Sequence, residues 1–314
     1  KYSSTGSVLW AKGAGGLYDD YGQGVTTDAL GNVYVSGYFG SQSIVFGTDT
    51  LTNMSAFLGI TDAFIVKYDA LGNVLWTKRA GYIFGDRASD ITTDASGNVY
   101  VTGLFDTQIT FGSFTVSSGA SYTQTFIVKY DSAGNALWAK SSTASSTSAS
   151  SYGTGVSTDD SGNVYITGGT AYAPVTFGTT TLANAGGQDM FIVKYDATGT
   201  MQWARGAGGT GQEYGHDIAA DAAGNVYIVG DFASPFMVFG TDTLTTNGGD
   251  DIFFVKYDAS GNLQWVNGVN GALQDEAYST TVDADGNAYI LVSSWSSPLT
   301  FGTVTLTSSA VGSP

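Results

Sequence analysis

Five occurrences of one ten-residue phrase, an even spacing between them and strand-like runs without helical periodicity predict an all-β fold. The expected architecture is a five-bladed β-propeller with four-stranded blades and an extra β-hairpin inserted in each blade. The phrase reads DASGNVYVTG from Asp94 and returns, slightly varied, from Asp28, Asp159, Asp221 and Asp283. Its tyrosine falls at Tyr34, Tyr100, Tyr165, Tyr227 and Tyr289, at steps of 66, 65, 62 and 62 residues. Trp10, Trp76, Trp138, Trp203 and Trp265 keep the same beat, as do a Phe-Gly pair beginning at Phe46 and the phrase FIVKYD beginning at Phe64. Five copies of one supersecondary unit over residues 1–314 argue for a single repeat domain rather than two unrelated ones.

Within the first unit, β-branched and aromatic residues cluster in short runs between turn signals. They predict strands at 24–28, 32–39, 63–69 and 73–79, with IVFGTDTLT at 44–52 as the inserted hairpin. Asp-x-x-Gly-Asn is a hairpin corner: the aspartate accepts backbone N–H groups, and the glycine supplies the left-handed conformation that returns the chain. A second corner, YDALGN at 68–73, follows the third strand. First strands carry small residues such as Thr26, Thr27, Ala219 and Ala220, as strands crowding a common axis require. The opening KYSSTGSVLW matches KYDASGNLQW at 256–265, so the N-terminal segment is expected to supply the outer strands of the last blade and close the ring before Pro314.

Composition narrows the partners. With 11 basic and 27 acidic residues the net charge is −16, which repels nucleic acid and anionic membranes. There is no cysteine, hence neither disulfide nor thiolate metal site. No apolar run approaches the roughly 20 residues that span a bilayer. The chain opens on Lys1, so a trimmed soluble protein without a transmembrane segment is expected.

The run DDYGQGVTTDALGNVYVSG, followed by VxFGTxTLT, DAFIVKYDALGN and VLWTK, resembles the SBBP repeat, a β-propeller repeat of bacterial secreted and surface proteins. The likeness covers nearly all of the chain. It implies a propeller and an export route, hence an extracellular or cell-surface location, and no particular ligand or reaction. The family name refers to seven blades and this sequence shows five, which implies a smaller ring or an incomplete array.

Divergent loops on a rigid frame are where binding residues concentrate. The segments joining one unit to the next are long and differ, and they supply Tyr18, Asp20, Tyr21, Arg87, Tyr152, Glu213, Tyr214, His216, Asp275 and Glu276 as candidate ligand-binding residues. Tyrosine faces stack on sugar C–H groups and carboxylates accept from hydroxyls, so the set suits a glycan. The alternative is that the tyrosines pack between blades while the carboxylates are solvated or cap loop amides. His216, the single histidine, has no nucleophile paired with it in sequence, so no catalytic residue is expected. Asp283 to Asn287 reads like the start of an EF-hand loop, but Ala288 and Ser294 stand where that motif needs glycine and glutamate, so no Ca2+ or other metal is expected there. The recurring Lys67, Lys129, Lys194 and Lys256 are expected to pair with nearby carboxylates, and the Ser/Thr-rich stretch 141–151 to be a linker.

Two functions remain. One is a structural or adhesive module whose five hairpins, with Phe46, Val116, Leu182 and Leu244, pack on another protein or another copy of the chain. The other is a lectin-like carbohydrate binder using the loop tyrosines. A glycan-active hydrolase comes third.

Overall fold

The computed structural model describes residues 1–55, 57, 59–118, 122–144, 146 and 148–307. Pro314 and two residues of the Ser/Thr-rich stretch, 145 and 147, lie outside them. The chain divides into two compact units, Lys1–Thr143 and Ala144–Pro314. Every described element is a β-strand.

In the first unit, β1 (Asp20–Thr27), β2 (Val33–Phe39), β5 (Asp62–Tyr68) and β6 (Val74–Ala80) form an antiparallel sheet in chain order, and β3 (Ser43–Phe46) with β4 (Asp49–Thr52) forms the inserted hairpin. The second repeat follows suit with β7 (Asp86–Thr93), β8 (Val99–Asp106), β11 (Thr123–Tyr130) and β12 (Ala136–Ala144), and the hairpin β9 (Gln108–Phe111) and β10 (Phe114–Ser117). In the second unit the third repeat is β13 (Ser150–Thr158), β14 (Val164–Ala171), β17 (Gln188–Tyr195) and β18 (Met201–Ala207), with the hairpin β15 (Val175–Phe177) and β16 (Thr180–Leu182). The fourth is β19 (Glu213–Ala220), β20 (Val226–Phe232), β23 (Asp251–Tyr257) and β24 (Leu263–Val269), with the hairpin β21 (Phe236–Phe239) and β22 (Asp242–Thr245). Among the described residues a fifth repeat contributes β25 (Asp275–Val282), β26 (Ala288–Ser294) and the hairpin β27 (Leu299–Phe301) and β28 (Val304–Leu306).

The corners form as the sequence requires. Asp28 accepts the N–H groups of Leu30 and Asn32 on Oδ1 at 3.0 and 2.9 Å, and the Asn32 amide and Tyr34 hydroxyl on Oδ2 at 2.7 and 2.9 Å. Gly31 takes φ +77° to turn the chain. Burial pushes the Asp28 carboxyl up, but the bonds from Asn32, Tyr34 and Leu30 outweigh it and hold the group below its ordinary value.

Repeats are joined through the recurring lysine and tryptophan. Lys67 Nζ and Trp76 Nε1 both donate to Ser132 O of the second repeat, at 2.9 and 3.2 Å, and Lys194 and Trp203 do the same to Ala259 O at 2.9 and 3.1 Å. The expected carboxylate pairing holds for Lys67 with Asp28 and Lys129 with Asp94, each 3.8 Å apart. Apolar faces then close on one another: Tyr34, Ile65 and Ala80 of the first repeat pack with Ile91, Val101, Phe111 and Phe126 of the second.

Two expectations need revision. First, β1 begins at Asp20 rather than at Gly24, because a bulge between Gly22 and Gly24 lets the strand run on while keeping its pairing with β2. Second, the four hairpin residues expected on an outer rim, Phe46, Val116, Leu182 and Leu244, do not face outward. Phe46 and Leu182 are buried, and Val116 and Leu244 pack against the cores, because the hairpins turn their apolar sides inward onto their own sheets. Within the N-terminal segment Tyr2 bridges Val8, and among the described residues β26 pairs with β25.

Candidate functional site

The candidate residues sit where the first strand of each repeat begins, and strand alternation sorts them into two sets. One set points into the sheet packing. Asp20, Asp86, Glu213 and Asp275 occupy equivalent first-strand positions, and the last three are fully buried. Asp20 accepts Gly16 N–H at 2.6 Å and the Ser41 hydroxyl at 2.9 Å. Asp86 accepts Tyr82 N–H at 2.7 Å, and Glu213 accepts Gly209 N–H at 2.8 Å together with the Ser234 hydroxyl. Asp275 accepts the Ser294 hydroxyl at 2.5 Å. Three of the four hold an N–H four residues upstream, so they shape the connecting loops and offer little to a ligand. Asp20, Glu213 and Asp275 therefore move from the ligand-binding set to the loop frame.

The other set, one residue further on, faces outward. In the first unit the Tyr21 ring lies 5.1 Å from that of Tyr38, its cross-strand neighbour, and the Arg87 guanidinium sits 4.7 Å above the Tyr38 ring. With Tyr18, Asp19, Gly40, Gly59 and Thr61 these side chains line a cavity of about 320 Å³. Tyr18, Tyr21 and Arg87 are exposed.

In the second unit Tyr152, Tyr214 and His216 stand in a row. The two tyrosine rings are 6.5 Å apart, and the imidazole stacks on Tyr214 at 5.9 Å with 16° between planes. Each polar tip is tied. Tyr152 OH donates to Gln188 Oε1 and Tyr214 OH to Gln212 Oε1, both at 2.5 Å, and His216 Nε2 contacts Asp231 Oδ1. Nearby, Tyr278 OH and Gln274 Nε2 donate to the two oxygens of Glu276, each at 2.7 Å. Burial, then the charges of Asp231, Glu276 and Asp251, push the Asp250 carboxyl up, and burial followed by the Tyr214, Tyr172 and Asp231 charges raises the Tyr152 phenol. The row is thus flanked by a negative field that favours a neutral or cationic ligand group.

Most of these residues lie on strand ends rather than on the loops where the sequence suggested them. Two members, Tyr38 and Asp231, were not anticipated. Each follows a glycine that recurs in the second strand, Gly37 and Gly230, at a column that reads Tyr38, Leu104, Gly169, Asp231 and Ser293. A variable column directly after a glycine that recurs in four of the five repeats is the signal that could have found them. The corner at Asp283 folds like the others, its carboxylate engaged by Asn287 at 2.9 Å and Tyr289 OH at 3.0 Å.

Comparison with known proteins agrees with this architecture. Residues 10–38 match the family model of the SBBP β-propeller repeat. An uncharacterized WD repeat-containing protein, L264 of Acanthamoeba polyphaga mimivirus, is 27% identical over 337 residues, covering 86% of this chain and 24% of the viral protein. The regulatory protein FlaEY of Caulobacter vibrioides is 28% identical over 111 residues, covering 33% of this chain and 11% of its own length. The chain therefore spans a minor part of either relative. Sheets and matches together define an all-β repeat protein with similarity to β-propeller repeats. No helix among the described residues is long and apolar enough to cross a membrane.

Proposed function

We propose that this chain is a non-enzymatic protein-interaction module, displayed outside the cell or on its surface, that binds through the outward aromatic residues at its first-strand ends. The Tyr152–Tyr214–His216 row carries the reading. Rings whose polar tips are already held by Gln188, Gln212 and Asp231 lose little conformational freedom on binding, which lowers the entropic cost of a contact. His216 faces a carboxylate and stacks on a tyrosine, which suits an anchoring role better than activation of a nucleophile. The resemblance to secreted and surface repeat proteins supports the location, and the WD-repeat relative supports a scaffold that contacts proteins.

The reading includes a ring of five repeats in which the N-terminal segment serves the last blade. Lys1 Nζ and Trp10 Nε1 both donate to Ala70 O at 3.2 Å, the same pair of bonds that Lys67 and Trp76 make one repeat later. The segment therefore behaves as the outer part of a blade preceding the first.

A lectin-like function is the second reading, favoured by the cavity that Tyr18, Tyr21, Tyr38 and Arg87 line, where a sugar ring could stack and donate to Asp19. Screening the full chain in parallel against a random-peptide display library and a glycan array separates the two. Peptide binders without glycan hits are expected; glycan hits alone would replace the protein-binding reading with the lectin-like one.

A further inference from the structure

We propose that the cavity where the first and second repeats meet binds a small zwitterion with an aromatic or apolar body, an α-amino acid such as phenylalanine, with its carboxylate on Arg87 and its ammonium on Asp19. The site draws on the first unit alone and uses no residue of the Tyr152–Tyr214–His216 row.

Two opposite charges line this cavity, and neither is spent inside the protein. The other arginines are engaged: Arg79 donates to Asp62 at 3.2 Å, and Arg205 to Gly261 O at 3.0 Å and Ala204 O at 2.9 Å. The Arg87 side chain makes no hydrogen bond or ion pair among the described residues, and its guanidinium rests over the Tyr38 ring at 4.7 Å. Stacking covers one face of the guanidinium and leaves its N–H edge, the fork that fits a carboxylate, without an acceptor. Asp86, next in the chain, supplies no counter-charge near neutral pH, because it is buried in the sheet packing and burial pushes its carboxyl up to about 8.

Asp19 is the opposite case on the same cavity. Its neighbour Asp20 accepts Gly16 N–H, Ser41 N–H and the Ser41 hydroxyl, whereas the Asp19 carboxylate accepts no bond among the described residues and no ion pair joins it to Arg87. The backbone holds it in place: Asp19 O accepts Gly40 N–H at 2.9 Å, and Tyr18 N–H, one residue back, donates to the Ser41 hydroxyl at 3.0 Å. A ligand with a carboxylate alone would meet the field of a chain of net charge −16, and one with an ammonium alone would leave Arg87 without an acceptor; a zwitterion satisfies both groups at no net charge. Between the two charges stand the Tyr18, Tyr21 and Tyr38 rings, which suit an aromatic or apolar body. At about 320 Å³ the cavity lies at the low end of small-molecule clefts, so it takes one residue-sized molecule rather than a length of chain.

The test uses the full chain and three ligands that share one ring: L-phenylalanine, phenethylamine, which lacks the carboxylate, and 3-phenylpropionate, which lacks the ammonium. Calorimetry at neutral pH compares the intact chain with Arg87→Gln and Asp19→Asn, both at exposed positions, with far-UV spectra to confirm folding. The expected result is saturable binding of phenylalanine in the millimolar range or tighter, with each of the other two about tenfold weaker. Arg87→Gln should erase the preference over phenethylamine alone, and Asp19→Asn the preference over 3-phenylpropionate alone. Three results would overturn the proposal: no saturable binding of phenylalanine, equal affinity for the three ligands, or either preference surviving in its variant. Displacement of phenylalanine by methyl glucoside at a lower concentration would overturn it as well, in favour of the lectin-like reading of this cavity. None of these outcomes bears on the peptide-binding reading, which rests on the Tyr152–Tyr214–His216 row.

Discussion

Asp62 and Asp86 bring two fully buried carboxylates together between the first and second repeats. Burial, with the charges of Asp62 and Asp106 adding to it, pushes Asp86 up to about 8, against backbone bonds from Tyr82 and Asp106. Asp62 is raised too, by burial, although Met54 N–H and Arg79 partly compensate. One oxygen of each carboxylate has no hydrogen-bond partner.

A folded-state value above the unfolded one means that the folded protein holds the extra proton, so stability falls as pH rises. For Asp86 the window runs from about 4, the ordinary aspartate value, to about 8. Asp86→Asn keeps an acceptor for Tyr82 N–H and removes the charge. It is expected to flatten this slope, and to raise stability at pH 8 by at least about 1 kcal/mol relative to pH 5. Urea unfolding of both proteins at the two pH values checks it.

The two kinds of corner should respond differently to loss of the aspartate. Asp28 is nearly buried, bonds Tyr34 OH and lies 3.8 Å from Lys67, so Asp28→Ala leaves a buried hydroxyl without its acceptor and the Lys67 ammonium without its counter-charge. A loss of about 2–4 kcal/mol is expected. Asp69, at the exposed corner, holds Asn73 and Leu71 N–H alone, and Asp69→Ala should cost clearly less. Thermal unfolding of the two variants ranks them.

Close approach of backbone makes a further prediction. A Cβ on Gly37 would stand 1.9 Å from Tyr21 O and 2.9 Å from the Phe64 ring, whereas one on Gly22 would meet nothing nearer than 3.9 Å. Gly37→Ala should therefore cost more than about 3 kcal/mol, and Gly22→Ala about 0.5 kcal/mol or less. Because Tyr21 flanks the first-unit cavity, Gly37→Ala should also disturb the Tyr21–Tyr38 contact, visible in tyrosine fluorescence.

Strands were legible in the sequence because alternation and the Asp-x-x-Gly-Asn corners are local signals: β2, β5 and β6 start and stop within one residue of expectation. β1 was read four residues short because a bulge at Gly22 and Gly24 looks like loop until its partner strand is known. For the same reason Tyr21, Arg87 and Tyr214 were assigned to loops. The near-periodic acidic column hinted that Asp20, Glu213 and Asp275 frame the loops, since a residue that recurs in most repeats serves the shared fold. Tyr38 and Asp231 could not be seen as partners of Tyr21 and His216 without the strand pairing that brings them together. The hairpin residues Phe46 and Leu182 were misjudged because a short strand does not announce which of its sides meets the sheet.

The most direct measurement is the affinity of a display-selected peptide for the intact chain and for its Tyr214→Ala and Tyr21→Ala variants, with Leu71→Ala, at an exposed corner outside the strand-end rows, as control. The account predicts a loss of about tenfold or more in at least one of the first two, with the control and the far-UV spectra unchanged. Undiminished binding to both variants would contradict it.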